Sequence, residues 1–255
     1  MTKLGKPEKK YYKYISFTAS VVIWLVIWQL AADAIDKEIF LPTPGRVLTV
    51  LFNDLLTDKQ FWSSVSASLL HIGTGFIIGA AAGILLAVLS YFCSVVKTIL
   101  WFPIRVLKSV PVASFVILAL LWTDAEDLSI LIPTVIVLPT LYINTLTGIM
   151  QTDIKLLEMA ELFRISALKK FVYIYVPATL PFILSACSLA TGMAWKAGVA
   201  AEIIGLAKNS IGNELYKAKL YLMTPELFAW TIVIVLLSIL CESVIKFTAK
   251  LIERR

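Results

Sequence analysis

The feature that most constrains this chain is a set of six apolar runs, each long enough to cross a bilayer as a helix. A helix needs about 20 consecutive apolar residues to span the hydrocarbon core. Hydrophobic residues make up 59% of the 255 residues, which is more apolar surface than a soluble domain of this size can bury. The sequence therefore predicts an all-α, polytopic membrane protein with six transmembrane helices. The predicted spans are residues 14–34, 64–92, 99–122, 128–150, 177–204 and 225–247.

The polar segments between these runs define the predicted organisation, with residues 207–224 read as a loop before the last span. The chain begins with a basic cytoplasmic tail (1–13) and a first span (14–34), and an extracytoplasmic segment with a short amphipathic helix follows (35–63). The core contains five spans (64–250), and a charged loop (151–177) lies within it. A short cytoplasmic tail ends the chain (251–255). The first run is longer than the ~7–15 apolar residues of a signal peptide, so we interpret it as an uncleaved span. The alternative is a cleaved signal, since Ala32-Asp33-Ala34 resembles a cleavage site.

The distribution of lysine and arginine predicts the orientation. If the N-terminus is inside, the cytoplasmic segments carry fourteen of these residues and the opposite side carries six. The excess of basic residues in cytoplasmic segments places both termini and the 151–177 loop in the cytoplasm. We expect an inner or plasma membrane location in a prokaryote, with lipid around the spans. Because the basic residues cluster at the ends of apolar runs, nucleic acid is not an expected partner.

The chain shows no pattern for catalysis or cofactor binding. It has no glycine-rich phosphate loop, so we expect no nucleotide hydrolysis by this chain itself, and any ATPase must be a separate chain. Cys93, Cys187 and Cys241 are far apart and lie in or beside apolar runs, which excludes a disulfide framework or metal spacing. His71 is the one histidine, and packing or hydrogen bonding explains it better than ligation. We therefore predict no enzyme activity, no metal and no bound cofactor.

Small residues and prolines mark positions inside the spans. Gly75, Gly79 and Gly83 recur every four residues in the second run, so they share a helix face and predict close packing against another helix. The third run contains Pro103 and Pro111 within its predicted length. Prolines leave carbonyl groups unpaired, which is tolerated in a bilayer where protein or water lines the site.

The stretch from 158 to 177 is a long, charged interruption between two spans. We predict a short helix over Glu158 to Leu162, an interruption at Arg164-Ile165-Ser166, and a second helix that begins at about Ala167. The apolar residues of this stretch give it a surface that can bind a partner, and its charges can make that binding specific. The alternative interpretation is a solvated amphipathic loop with no partner.

Within this stretch the spacing of a few residues resembles a known motif. Glu158, Met159 and Ala160 are followed by Arg164 and then by Ile174, Val176 and Pro177. This arrangement resembles the cytoplasmic E-A-A loop of the permeases of binding-protein-dependent ABC importers. The motif's glycine is replaced here by Arg164, which can adopt the positive φ of a sharp turn only at a cost.

Further segments resemble one branch of that family, the branch that includes nitrate, taurine, aliphatic sulfonate and bicarbonate importers. These segments are residues 41–44, 111–113 and 195–205. The resemblance implies a type I importer permease (MetI-like) fold, a pore of two permease subunits that are usually identical, two cytoplasmic ATPase subunits that bind ATP and Mg, and an extracytoplasmic solute-binding protein. It also implies a coupling helix that docks in the ATPase. The residues it assigns to coupling are Glu158, Met159, Ala160, Glu161, Leu162, Phe163, Arg164 and Pro177.

Four residues are candidates for the translocation path: Pro111, Trp195, Lys196 and Glu202. A lysine inside a span is costly and usually faces a cavity or a partner. Our hypothesis is that Lys196, where the family is usually apolar, lines the path and favours an anionic solute. The alternatives are that it snorkels outward or bonds a carbonyl. Arg105 and Lys108 are interpreted as snorkelling to the cytoplasmic interface.

Two other functions remain open from the sequence. A secondary transporter driven by an ion gradient needs buried acids within its spans, but Glu202 and Glu242 both lie near span ends. A membrane scaffold or assembly factor has no solute path, and the proline-interrupted spans argue against that role. An associated ATPase distinguishes the importer from both.

Overall fold

The fold was analysed in a computed structural model that describes residues 6–253, with side chains described for 15–16 and 18–251. The chain between these limits is helical throughout, with short connections and no strand. The helices are α1 (Lys6–Ile35), α2 (Pro44–Thr49), α3 (Lys59–Phe92), α4 (Ser94–Ser109), α5 (Val112–Ala119), α6 (Ala125–Met150), α7 (Ile154–Leu162), α8 (Ala167–Lys170), α9 (Val176–Gly205), α10 (Ile211–Leu220) and α11 (Thr224–Glu253). π-helical segments follow α2 (Val50–Leu55) and α8 (Phe171–Tyr175). The outermost parts of the two predicted tails, 1–5 and 254–255, lie outside the described residues.

The prediction of an all-α protein with six spans is confirmed. Five helical stretches are long and apolar enough to cross a membrane, and α4 with α5 forms a sixth, bent span. The helices extend past the predicted limits because polar residues continue the helical backbone beyond the apolar run. For example, α3 begins at Lys59, where the Asp58 side chain accepts a hydrogen bond from the backbone N–H of Gln60 at 2.9 Å.

The third span differs from the prediction because it is broken rather than continuous. The axes of α4 and α5 meet at 105°. Val110 has an extended backbone (φ −69°, ψ 128°) because the ring of Pro111 disfavours helical geometry in the residue before it. Pro103 stays inside α4 without ending it. We call the break at Val110 and Pro111 the elbow.

The prediction that 207–224 is a loop is wrong, since α10 occupies most of it. The Ser210 side chain begins this helix by accepting a hydrogen bond from the backbone N–H of Asn213 at 3.1 Å. Ile211, Leu215 and Ala218 share one face at helical spacing and are buried. The sequence did not reveal this helix because its polar residues lie on the other face and its buried residues extend only from Ile211 to Ala218.

Two helices form the centre of the bundle. Gly75, Gly79 and Gly83 of α3 face α6, and a Cβ atom built on each would lie 2.3, 2.7 and 2.6 Å from the carbonyl oxygens of residues 130, 134 and 138. Each step of four residues along α3 matches a step of four along α6, so the two helices run parallel. The predicted packing role of these glycines is confirmed.

The bundle has two distinct ends. At one end, which we call the loop end, α3 and α6 finish, α4 begins, and the 151–177 loop connects α6 to α9. At the other end, which we call the far end, the Trp28 indole donates to the carbonyl of Pro42 at 3.0 Å and the Thr224 hydroxyl donates to the carbonyl of Ile39 at 2.6 Å. These bonds hold the connection after α1 against the start of α11.

Candidate functional site

The loop between α6 and α9 contains a well-defined short helix, α7. The Asp153 side chain caps its N-terminus by accepting a hydrogen bond from the backbone N–H of Lys155 at 2.9 Å. The helix ends at Leu162, and the next helical stretch starts at Ala167. Both predicted helices of the loop are therefore confirmed, with α7 starting at Ile154.

The turn after α7 is a Schellman motif with an arginine in the left-handed position. Arg164 has φ of 50°. The backbone N–H of Ile165 donates to the carbonyl of Ala160, and that of Arg164 donates to the carbonyl of Glu161, both at 2.9 Å. Glycine is preferred at this position because it has no Cβ to clash in the left-handed region. The sharp turn expected from the motif is therefore present despite Arg164.

We expect Arg164→Gly to stabilise this turn. Removing the left-handed strain of a residue with a side chain is worth about 1 kcal/mol, part of which the larger backbone entropy of glycine in the unfolded chain offsets. Hydrogen exchange of the Ile165 amide should slow by up to about fivefold, which corresponds to that energy. Arg164→Ala, which keeps a Cβ, is the matched control and should not slow exchange. Faster exchange in the glycine variant would contradict this account of the turn.

The surface of α7 is unusually apolar for a loop outside the spans. Met159, Leu162 and Phe163 have 45, 80 and 70% of their surface exposed. Glu158 is exposed beside them, while Glu161 lies 3.4 Å from the Lys170 ammonium group. Exposed large apolar side chains clustered with charges are typical of a protein-binding surface. We call Glu158, Met159, Leu162 and Phe163 the docking face.

Four of the residues predicted for coupling lie off the docking face: Ala160, Glu161, Arg164 and Pro177. Glu161 pairs with Lys170, and Arg164 forms the turn after α7. Ala160 is fully buried, so it packs α7 against the chain's own loop and has no surface available to a partner. Pro177 lies in the first turn of α9, where its missing N–H removes no helical bond. The structure therefore brings together the other candidates and gives these four a role in shaping the loop.

Aromatic contacts join the loop to the bundle. The hydroxyl groups of Tyr175 and Tyr91 are 3.1 Å apart, and their rings pack edge to face. Phe171 packs near Phe92, at the end of α3. Phe171 and Tyr175 bound the π-helical segment that continues α8 into α9. The π-helical segment before α9 is therefore packed against the loop end of α3. Sequence reasoning missed this contact, since Tyr91 lies 84 residues before Tyr175.

Glu202 lies at the far end of the bundle and is fully buried. One carboxylate oxygen accepts from the Ser68 hydroxyl at 2.9 Å and from the backbone N–H of Gly212 at 3.0 Å. The Ser68 oxygen in turn accepts from the backbone N–H of Ile211 at 2.9 Å. These bonds fasten the start of α10 to α3 and α9. Pairing between residues this far apart carries no local signal in the sequence.

The four path candidates do not converge on one pocket. Trp195 is 3% exposed and faces an apolar cavity between α3, α9 and α11. Lys196, the next residue, is exposed and has no hydrogen bond or ion pair among the described side chains. Pro111 is exposed at the elbow, and Glu202 is enclosed by its own subunit. Of the four candidates, only the side chains of Lys196 and Pro111 are therefore exposed on the surface of the subunit.

Comparison with known proteins decides the family. Residues 75–255 match the profile of the family described as "Binding-protein-dependent transport system inner membrane component". The chain belongs to this family. The match covers the second half of α3 and all of α4 to α11, including the loop with its docking face, so the predicted family is confirmed.

Named relatives of this binding-protein-dependent permease lie in the predicted branch. It is 27% identical over 252 residues to the putative aliphatic sulfonates transport permease protein SsuC of Bacillus subtilis. The aligned region covers 98% of this chain and 89% of that protein. The SsuC protein of Escherichia coli is 28% identical, covering 98% of this chain and 94% of that protein. The nitrate import permease protein NrtB of a Synechocystis species is 25% identical, covering 94 and 90%.

Solved structures confirm the fold. One chain of a bacterial ABC transporter involved in the import of the acidic polysaccharide alginate superimposes with a TM-score of 0.61 at 16% identity, covering 96% of this permease and 97% of that chain. A second structure contains the alginate transporter in complex with an alginate pentasaccharide-bound periplasmic protein, with a TM-score of 0.59 at 17% identity, covering 100 and 98%. The permease therefore has the fold of an ABC importer subunit.

Proposed function

We propose that this multi-pass permease of the sulfonate and nitrate importer type is coupled through the docking face to a separate ATPase, which binds ATP and Mg. The observation that carries this proposal is the docking face itself. A capped helix outside the spans exposes Met159, Leu162 and Phe163 around a free carboxylate. A cluster of exposed apolar side chains beside a charge is typical of a site that binds another protein.

The geometry supports a lever mechanism. α7 is short and capped at both ends, and the turn at Arg164 connects it to the helical stretch that runs through α8 into α9. Tyr175 of that stretch contacts Tyr91 of α3. When ATP binding closes a pair of ATPases, two such helices move together, and the attached spans change between inward-open and outward-open states. This requires the loop end to be cytoplasmic, as the excess of basic residues there predicts.

The proposed assembly has three further kinds of subunit. The pore contains a second permease, most simply another copy of this chain. Lys196 and Pro111 are exposed on the surface of this subunit, so a second subunit is needed to enclose the path beside them. Two ATPase subunits bind the docking faces. An extracytoplasmic solute-binding protein delivers solute to the far end. In support, the alginate transporter of similar fold was solved in complex with an alginate pentasaccharide-bound periplasmic protein.

We propose an anionic solute on the basis of Lys196. Its ammonium group is exposed in the second half of α9 and has no partner among the described side chains. An unpaired cation within a span is stabilised by water or an anion in a path. Sulfonates and nitrate, which appear in the names of relatives, carry the complementary charge.

We expect Lys196→Met to reduce the uptake of an anionic solute by about tenfold or more, because one charge–anion contact in a partly dry path is worth about 1.4 kcal/mol or more. Uptake in proteoliposomes is the measurement. Lys208→Met, which alters an exposed lysine beyond α9, is the matched control and should leave uptake near the wild-type rate. Equal uptake by wild type and the Lys196 variant would remove Lys196 from the path.

Reconstitution tests the proposed function as a whole. The permease, its candidate ATPase and its candidate binding protein are co-expressed, purified and placed in proteoliposomes. We expect the ATPase to co-purify, and uptake to require ATP, the binding protein and the ATPase together. Uptake driven by a proton or sodium gradient without the ATPase would instead identify a secondary transporter.

A further inference from the structure

Helix α4 has the most sharply divided surface of the described spans. Its sixteen residues include six polar ones: Ser94, Lys97, Thr98, Arg105, Lys108 and Ser109. At 100° per residue all six fall within an arc of about 120°. Every one of them is exposed in the single subunit. We call this arc the polar face of α4.

The remaining surface of α4 divides into two apolar sectors. Leu100 and Ile104 pack against residues of α3 and α6. Ile99 and Val106 lie on the other apolar sector and are exposed by 66 and 39%. One helix therefore carries two kinds of open surface, of which the apolar one is suited to lipid. The polar face must meet a different environment.

The polar face extends into the depth of the membrane. Ile104 packs with Ala87 and Tyr142, which lie five and eight residues before the loop ends of α3 and α6. At 1.5 Å per residue these positions are about 8 and 12 Å inside the bundle. Arg105 adjoins Ile104, and its guanidinium lies 4.2 Å from the centre of the Trp101 ring. Lys108 is almost one turn closer to the elbow.

Snorkelling explains only part of this pattern. It accounts for long basic side chains that reach back to the loop end. It does not account for the short hydroxyl side chain of Ser109, which lies on the same arc at the end of α4 that meets the elbow. The Thr98 hydroxyl, by contrast, donates to the carbonyl of Ser94 at 2.9 Å within the helix. The same arc also contains Trp101, which is 56% exposed, between the polar residues near the loop end and those near the elbow. A helix face with polar residues at both of its ends is typical of a water-lined surface.

A second copy of this chain offers few acids to neutralise the polar face. Beyond the terminal turns, the described spans contain one acidic residue, Glu242. Its carboxylate already accepts hydrogen bonds from the Ser188 hydroxyl at 2.9 Å and the Lys246 ammonium at 2.5 Å. The interiors of the described spans of a second copy therefore offer no free acid to pair with Arg105 and Lys108.

We propose that the polar face of α4 lines the water-filled solute path between the loop end and the elbow, and that Arg105 and Lys108 contact the anionic solute within it. This inference rests on the proposed importer function and assigns the wall of the path and two specificity-determining residues. Lys97 lies at the loop end of the same face, so the positive surface continues to the mouth of the path.

Cysteine accessibility tests the wall. Single cysteines are placed by Thr98→Cys and Ser109→Cys on the polar face, and by Ile99→Cys and Val106→Cys on the exposed apolar sector, in a background without Cys93, Cys187 and Cys241. Each variant is assembled with its partners and treated with anionic sulfonatoethyl methanethiosulfonate. We expect the polar-face cysteines to react at least about tenfold faster, because a charged reagent does not enter lipid. Equal rates on both sectors, or reaction at Thr98→Cys without Ser109→Cys, would overturn the inference.

The charge of the reagent tests the two basic residues. At Ser109→Cys, we expect the anionic reagent to react faster than cationic trimethylammonioethyl methanethiosulfonate by about tenfold after correction for their intrinsic rates. Comparing two reagents at one cysteine cancels any change in the reactivity of the thiol. Adding Arg105→Gln and Lys108→Gln should remove the preference, whereas Arg46→Gln with Lys208→Gln should not. A preference that survives loss of Arg105 and Lys108 would overturn their assignment.

This readout is separate from transport. Labelling requires only the assembled protein, whereas the proposed function is tested by ATP-driven uptake. Normal ATP-driven uptake together with no labelling of the polar face would contradict this inference and leave the proposed function intact. Labelling of the polar face without ATP-driven uptake in any reconstitution would contradict the proposed function. The proposed contact of Arg105 and Lys108 with an anionic solute would then be lost with it.

Discussion

Replacing Glu158 by lysine is expected to abolish ATP-driven uptake while leaving the permease in the membrane. Glu158 is exposed at the centre of the docking face and has no ion pair among the described side chains. A charge reversal at an interface leaves like charges facing each other, which costs several kcal/mol. A loss of about 3 kcal/mol corresponds to more than a hundredfold weaker binding of the ATPase.

Two measurements separate coupling from folding for the Glu158 variant. The amount of ATPase that co-purifies reports docking, and the amount of permease in the membrane fraction reports insertion. Glu158→Gln, which removes the charge and keeps the shape, should lie between wild type and the lysine variant. Full uptake with the lysine variant would show that the docking face does not carry the coupling.

The second large effect is expected at the helix crossing in the centre of the bundle. A Cβ atom at Gly75 would lie 2.3 Å from the backbone carbonyl oxygen of Ile130, far inside van der Waals contact. Since the obstacle is backbone, α3 and α6 must separate to accept it. We expect Gly75→Ala to cost more than about 2 kcal/mol and to lower the unfolding temperature by about 4–8 °C.

Gly73 provides the matched control on the same helix. A Cβ atom at Gly73 would meet no atom within 4 Å. Gly73→Ala should therefore be neutral or stabilising by about 0.5–1 kcal/mol, because alanine loses less backbone entropy in a helix. Thermal unfolding of the purified variants is the measurement. A similar loss in both variants would contradict the account, because neither close contact nor helix propensity destabilises Gly73→Ala.

Much of the fold could be predicted from periodicity and spacing. The six spans follow from the lengths of the apolar runs, and the packing of α3 on α6 follows from glycines four residues apart. The short helix of the loop and its sharp turn follow from local sequence, with Asp153 as a cap and Arg164 in the place of a glycine. These features depend on residues close together in the chain.

What the sequence could not supply depends on residues far apart. Two prolines lie in the third run, and nothing local indicates that Pro111 breaks the helix while Pro103 does not. The bonds of Glu202 to Ser68 and Gly212 place a buried acid in a structural role. The exposure of Arg105 and Lys108 became informative only when the depth of Ile104 in the bundle was known.

Site-specific cross-linking from Leu162 tests the central claim most directly. Its side chain is 80% exposed on the docking face, so a photoreactive group placed there touches whatever covers α7. The same group at Leu236, which is 56% exposed in the middle of α11, serves as the control position. We predict that the Leu162 position cross-links to the ATPase subunit, with a yield that changes when ATP is added, and that the Leu236 position does not. A functional importer in which Leu162 forms no cross-link to the ATPase, with or without ATP, would contradict the account.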